Sequence, residues 1–271
     1  MILRCFFVSL CSLLYFQEVF GGLAPAGSQS LALAGATVTQ SGLWSALNNP
    51  AGLSTIHSFG AGTYAESRFL IPGTLQKGCV TAFPVSSTTA ALACSSFGNA
   101  NFADQVFVCA MARTFGEKIQ AGVRFEYHSL RFTSDYNTGS GVTASCGAII
   151  KITGKSSLGI SVVNPTRAKY NHSDVRIPSQ FKSGMKWDVS AAASCLFEIE
   201  KIPGVPPFFR AGTEYKPNPK FSFRAGVSNS FIPFSLGFSF LAGALSVDVA
   251  TGYHQLLGIT PSVSLSWIKR K

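Results

Sequence analysis

Charged residues are scarce in this chain: Asp, Glu, Lys and Arg make up 13% of its 271 residues, and apolar residues make up 46%. Soluble domains carry about 25% charged residues. Long apolar runs are also missing beyond residue 22, because the nearest candidate, residues 231–250, is interrupted by Pro233, Gly237, Gly243 and Asp248. A membrane-spanning helix needs roughly 18 apolar residues in a row and is not expected here. Low charge without such a helix fits a membrane β-barrel, in which every second strand residue faces lipid.

The sequence also lacks the motifs of common enzymes and metal sites. Its four histidines are scattered, and it contains no HExxH, no GxSxG and no phosphate-binding glycine loop. We therefore expect no catalytic residue, no cofactor and no metal site. Five cysteines lie beyond residue 22 without a CxxC motif: Cys79, Cys94, Cys109, Cys146 and Cys195. Each falls in a strand pattern, so we expect small apolar side chains without a disulfide.

Residues 1–22 have the pattern of a secretory signal peptide. Arg4 precedes an apolar run over residues 5–16, and small residues follow at 21–22. The run is too short to span a bilayer, so we expect cleavage near residue 22, with a cut after Ala26 as the alternative. The formal net charge is +10, but the longest basic cluster is residues 269–271. For an exported chain this excludes nucleic acid as a partner; the charge indicates a basic lumen or rim, or attraction to anionic lipid or an acidic partner.

Alternation with a period of two dominates the rest of the chain. In residues 118–128, Val123, Phe125 and Tyr127 alternate with polar residues, as in a half-buried strand. The pattern predicts fourteen strands, at residues 56–65, 77–85, 89–97, 105–114, 118–132, 142–153, 156–163, 180–188, 190–200, 208–216, 221–227, 234–240, 244–254 and 259–268. Their connections mostly alternate between long and short, and an even strand number suits a single-chain bacterial barrel. The sequence predicts an all-β fold, a 14-stranded antiparallel transmembrane β-barrel over residues 56–271; a soluble β-sandwich is the alternative.

Residues 23–55 form a separate N-terminal segment that we expect to plug the barrel lumen. Its residues 41–53 read SGLWSALNNPAGL, and the apolar residues around Trp44 have the spacing of a short helix. Asn48 and Asn49 can bond neighbouring backbone groups, Pro50 fixes φ, and Gly52 permits a positive φ. These five residues either fill the lumen or form a gate that moves when a ligand or partner arrives.

Five charged residues fall on the polar faces of predicted strands: Arg124, Glu126, Arg210, Glu214 and Arg224. A polar group that faces a lumen needs a partner, and an arginine fork matches a carboxylate well. We predict a structural ladder of ion pairs. A carboxylate pair of Glu126 and Glu214 with acid/base activity is the alternative.

Residues 27–54 resemble the start of mature FadL/PorV-like outer-membrane barrels, in which an Ala/Gly-rich stretch and an Asn-Pro-Ala-Gly turn precede the first strand. Further matches at residues 163–165, 210–215 and 223–226 resemble the PorV/PorQ branch of Bacteroidetes-type bacteria. The resemblance implies an integral protein of the Gram-negative outer membrane, surrounded by its lipid. It also implies an accessory subunit of a type IX secretion-like or gliding assembly, with a larger outer-membrane barrel or a secreted cargo protein as partner.

Two other functions stay open: a FadL-like transporter of small hydrophobic molecules, and a structural or adhesive barrel. The chain is shorter than FadL-type transporters, and its longest outer loop, residues 164–179, is polar and basic with Arg167, Lys169, His172 and Arg176. An apolar capture site is therefore not expected, which favours the accessory role. A lateral opening near Pro84 or Pro233 would favour transport, because proline cannot donate to the ladder.

Overall fold

A computed structural model describes residues 25–133, 139–171 and 175–269. The expected signal peptide, His172 and residues 270–271 lie outside the described residues. Fourteen antiparallel strands close into a barrel in sequence order, with β1 paired to β14, and this confirms the predicted fold. The strands are β1 Gly60–Ser67, β2 Leu75–Val85, β3 Thr88–Gly98, β4 Phe102–Phe115, β5 Ile119–Phe132, β6 Gly139–Lys151, β7 Ser156–Val163, β8 Gln180–Asp188, β9 Ala193–Lys201, β10 Phe208–Asn218, β11 Phe221–Ser228, β12 Phe234–Ala242, β13 Leu245–His254 and β14 Gly258–Ile268.

Two strands begin three or more residues later than expected. The first strand begins at Gly60 rather than at residue 56, because a 3-10 helix, Pro50–Thr55, and a short link precede it. The ninth begins at Ala193 rather than at residue 190. Ser190 makes the turn before it: its hydroxyl accepts from the amides of Ala192 and Ala193, at 3.2 and 3.0 Å. A serine side chain thus supplies the turn that no Gly or Pro marks in the sequence.

Strand β5 shows how the barrel wall sorts its side chains. Val123 and Phe125 are 49% and 60% exposed on the outside, whereas Arg124 and Glu126 are buried inside. The same alternation runs around the barrel, so the outer face is apolar, whereas the inner face is mixed: it is largely apolar on β2 to β4, and it carries buried polar and charged side chains on the other strands. A closed sheet has no unpaired edge.

Residues 25–55, which we call the inner segment, pack inside the barrel. Helix α1, Ser28–Ala32, contacts β11 to β14, and the 3-10 helix Pro50–Thr55 contacts β3 to β6. A second 3-10 helix, Leu43–Ala46, lies between them and contacts β1 to β4. Among the described residues, every helix is too short or too polar to cross a membrane.

The connections that follow odd-numbered strands share one end of the barrel, which we call the mouth. The ladder between β2 and β3 runs unbroken through Pro84, which faces Thr89. Pro233 lies in the connection directly before β12, and its carbonyl accepts from the Ser228 amide at 2.9 Å. The expected lateral opening would need a bulge or kink in the wall, and neither proline makes one.

Candidate functional site

Asn48 and Asn49 fix the inner segment by bonds to backbone groups. The Asn48 side chain accepts from the Ala26 amide at 3.0 Å and donates to the Ser30 hydroxyl at 2.9 Å. Asn49 donates to the Val38 carbonyl at 2.5 Å and accepts from the Ala51 amide at 3.2 Å. The two amides therefore tie parts of the inner segment that are up to 22 residues apart.

Pro50 and Gly52 begin the 3-10 helix that follows. Pro50 takes the first helical position, where a missing N–H costs nothing. The expectation of a positive φ at Gly52 is wrong, since its backbone is outside the left-handed region. Space is what requires glycine here: a Cβ would overlap the Gln40 carbonyl oxygen and the Ser45 hydroxyl.

Trp44 lies in the 3-10 helix Leu43–Ala46 and is buried against the wall. Its ring meets the Tyr64 ring edge-on, with 5.3 Å between centroids. A Cβ on Gly27 would lie 2.8 Å from the Trp44 ring, so the chain folds directly over the indole. Trp44 therefore anchors the inner segment to β1.

Facing glycines form shallow grooves in the inner wall that receive the inner segment. The pairs are Gly122 with Gly147, Gly159 with Gly184, and Gly212 with Gly226. A Cβ on Gly122 would lie 2.5 Å from the Pro50 carbonyl carbon, and one on Gly159 would lie 2.5 Å from the Val38 carbonyl oxygen. Side chains at Gly212 and Gly226 would meet Leu33 and Ala34. The wall and the segment are thus in backbone-level contact along the middle of the lumen.

Arg124 joins the wall to the inner segment. It pairs with Glu126 at 2.9 Å and donates to the carbonyls of Ala46 and Asn48, at 3.3 and 3.2 Å. Glu126 also accepts from the hydroxyls of Thr143 and Ser145. Among the described residues this is one of several separate ion-pair clusters.

Arg224 pairs with Glu214 at 2.7 Å across the β10–β11 ladder and lies 3.7 Å from Asp248. Glu126 and Glu214 therefore each bond an arginine of their own cluster, and the geometry provides no carboxylate dyad. Lys216, half exposed, adds a second contact to Glu214 at 2.8 Å. The Asp248 carboxylate accepts from the Gln29 amide at 3.0 Å, which ties α1 to this cluster.

Arg210 has acidic partners that the sequence reasoning missed. It lies 2.6 Å from Glu200 and 3.9 Å from Glu198. Glu198 accepts from the amides of Thr37 and Val38, both at 2.7 Å. The signal was present in the sequence, because two carboxylates spaced by two residues in a strand must share one face.

An apolar pocket of about 160 Å³ opens at the mouth, and three connections and the inner segment enclose it. Its floor includes Pro25, Ser30 and Ala34 of the inner segment. Its apolar lining residues are Leu31, Phe69, Ile202, Val205, Phe208, Phe231 and Ile232. No such site was expected from the sequence, because the expectation rested on the polar loop 164–179. That loop contributes no residue to this lining.

The charged groups at this pocket are already paired. Arg68 lies 3.4 Å from Glu66 and donates to Gln76 at 2.5 Å. Arg210 lies beside Glu200, as described above. Two arginines and two carboxylates leave the pocket without net charge. Among the described residues that line it, no cation is left free to bind an anion, and the remaining surface is mostly apolar.

Phe69 enters this pocket from an unusual backbone. Phe69 and Leu70 are both in the left-handed region, with φ of 56° and 54°, where such residues are rare. The Phe69 amide donates to the Thr260 hydroxyl at 3.1 Å, and the ring meets His254 edge-on at 5.7 Å. The strained turn is thus held in place, as at many binding sites.

The solved structures with this architecture include three channels or channel-like barrels. The CymD monoaromatic hydrocarbon channel is 14% identical, with a TM-score of 0.71 over 92% of this chain and 99% of that chain. The toluene transporter TbuX of Ralstonia pickettii is 11% identical, with a TM-score of 0.66 over the same shares. A FadL homologue of Pseudomonas aeruginosa is also 11% identical, with a TM-score of 0.66 over 90% and 98%. At these identities the likeness establishes the fold alone. No protein-family model and no curated protein matches the chain.

Proposed function

We propose that this chain is an outer-membrane channel of the FadL type that takes up small, uncharged hydrophobic molecules. The observation that carries this function is the mouth pocket, which is lined by apolar loop residues and floored by the inner segment. Its volume of about 160 Å³ is near the ~150 Å³ at which an apolar protein cavity binds benzene. The likeness in fold to hydrocarbon channels supports the same choice.

The paired charges favour an uncharged ligand over a fatty-acid anion. A buried carboxylate needs a cationic partner, but Arg68 and Arg210 already bond Glu66 and Glu200. An anion would have to break one of these pairs. A neutral aromatic molecule has only to displace water from apolar surface.

The outer face supports placement in a membrane. Aromatic residues occupy it near strand ends, as at the interfaces of membrane barrels: Tyr127, Trp187, Tyr215, Tyr253 and Trp267. With a signal peptide at residues 1–22, the chain would be exported and inserted in the outer membrane of a Gram-negative cell. Outer-membrane lipid would then cover the apolar wall.

In this function the inner segment acts as a plug. Residues 30–35 floor the pocket, and the stretch from Trp44 to Gly52 fills the lumen behind it. A ligand in the mouth pocket cannot continue along the lumen until part of the inner segment shifts. Trp44, Asn48, Asn49, Pro50 and Gly52 would hold the fixed part.

The accessory-subunit hypothesis rests on a different surface. Phe221 stacks with Phe238 and Phe240 on the outer wall, with ring centroids 5.7 and 5.2 Å apart. Such a patch could contact a larger barrel, but lipid would cover it equally well. The hypothesis gives no role to the mouth pocket, so we rank it second.

The test compares a neutral and an anionic derivative of benzene. Purified protein in detergent is titrated with toluene and with benzoate, and binding is measured by calorimetry. We expect saturable toluene binding and benzoate binding at least tenfold weaker. Equal affinities, or no toluene binding by folded protein, would contradict the proposal.

A stoichiometric partner barrel in gentle extracts of the outer membrane would favour the accessory role instead.

A further inference from the structure

Cys79 of β2 and Cys94 of β3 face each other directly in the ladder. Their sulfur atoms are 3.2 Å apart and are not bonded in this structure. Directly opposed residues of an antiparallel pair have Cα atoms about 4.5–5.5 Å apart, within the ~4.4–6.8 Å that a disulfide spans. No backbone movement is needed to join them.

The three other cysteines of the described residues lack such a neighbour. In the ladder, Cys109 faces Leu92 and Phe125, Cys146 faces Val123 and Val162, and Cys195 faces Trp187 and Thr213. Among the described residues, one pair alone is therefore placed to bond. The three others serve as internal controls.

We propose that Cys79 and Cys94 form a cross-strand disulfide in the exported protein. One of the two thiolates attacks the disulfide of an oxidised dithiol protein and forms a mixed disulfide with it. The other thiolate then attacks the barrel's sulfur in that mixed disulfide, which displaces the oxidant's thiolate. Two S–H bonds are lost, one S–S bond forms, and the oxidant leaves as the reduced dithiol. Exported compartments supply such oxidants. The inference depends on export and does not depend on which ligand the channel takes.

The test is differential thiol labelling of the full chain. Cells are lysed in N-ethylmaleimide, and the outer-membrane protein is then unfolded, reduced and treated with iodoacetamide. We expect N-ethylmaleimide on Cys109, Cys146 and Cys195, and carbamidomethyl on Cys79 and Cys94, by mass spectrometry after chymotryptic cleavage at Leu92, which separates Cys79 from Cys94. In the C94S variant, Cys79 should change to the first label. N-ethylmaleimide on both Cys79 and Cys94 of the parent chain would overturn the proposal.

A second measurement does not depend on export. The reduced, folded barrel in detergent is incubated with oxidised glutathione, and its thiols are counted. We expect the loss of two thiols without bound glutathione, and a midpoint of thermal unfolding higher by roughly 5 °C or more than that of the reduced barrel. C109S should behave like the parent chain, whereas C79S should not respond. Retention of every thiol, or glutathione on Cys79 alone, would overturn the proposal.

Discussion

The mouth and the middle of the lumen differ in the side chains that line them and in whether the space is filled. At the mouth, aromatic and aliphatic side chains surround an open pocket, and its charges are paired at the edge. In the middle, the wall presents glycines, hydroxyls and ion pairs, and the inner segment fills the space. The mouth can therefore take in an apolar molecule that the middle does not let through.

The same inner segment serves both regions. Residues 30–35 form the pocket floor, while Val38, Asn49 and Pro50 press into glycine grooves of the wall. Arg124 bonds two carbonyls of the filled part. The contacts of the pocket floor and those of the filled part involve different residues. Substitutions can therefore change binding at the mouth and closure of the middle separately.

The largest expected effect comes from unbalancing the buried charges of the middle. Arg224→Met leaves Glu214 and Asp248 buried without their shared cation. Breaking a buried pair from one side costs about 3–5 kcal/mol, so we expect the free energy of unfolding in detergent to fall by that amount. Lys216→Met is the matched control, because this half-exposed lysine also bonds Glu214. A similar loss in both variants would mean that the middle is no more sensitive than the surface.

Filling a glycine groove should have the next largest effect. In Gly147→Leu, the new side chain occupies the place of the Asn49 amide. Overpacking costs about 1–3 kcal/mol, and we expect the inner segment to be displaced, with a measurable conductance in planar bilayers. Gly154→Leu is the control, since its side chain enters open space. An unchanged, closed barrel in the Gly147 variant would show that the segment does not need this groove.

Asn49→Ala tests the anchoring of the segment with a smaller change. It removes the bonds to the Val38 carbonyl and the Ala51 amide inside the barrel. We expect a loss of about 1–2 kcal/mol in the free energy of unfolding, as for a helix cap. Asn218→Ala removes two turn bonds at an exposed site and should cost less. If the exposed substitution proved the costlier one, burial of Asn49 would not be what makes it important.

Much of the wall could be predicted from the sequence, because strand alternation is a local signal. Val123, Arg124, Phe125 and Glu126 fall on the faces that their polarity predicts. The turn at Ser190 was missed because its bonds come from a side chain rather than from Gly or Pro. Glycine at position 52 was expected to permit a positive φ, but the structure requires it for lack of space. The sequence could not show this, because Gln40 crowds Gly52 only when the inner segment folds back on itself.

The mouth pocket could not be predicted in this way. Phe69, Ile202 and Phe231 are far apart in sequence, and they meet only because the barrel brings three connections to one end. The expectation of a polar mouth rested on the charge of the longest loop, residues 164–179, whereas shorter connections supply the apolar lining. Glu198 and Glu200 were readable as a pair on one face, but their partner Arg210 comes from the neighbouring strand.

Glu66→Gln should cost the barrel less than Arg224→Met, because Arg68 keeps an amide acceptor at position 66 and its bond to Gln76; its sharpest effect should fall on the ligand. The substitution keeps the size of the side chain but leaves Arg68 at the mouth pocket with a neutral partner. A hydrogen bond to a charged group contributes about 1.5–3 kcal/mol. Benzoate, which can then pair with Arg68, should therefore bind the variant at least about tenfold more tightly than it binds the parent protein. Toluene affinity should stay the same, and Glu117→Gln, at an exposed turn away from the pocket, should change neither. If benzoate gained nothing, charge pairing would not be what selects an uncharged ligand at the mouth.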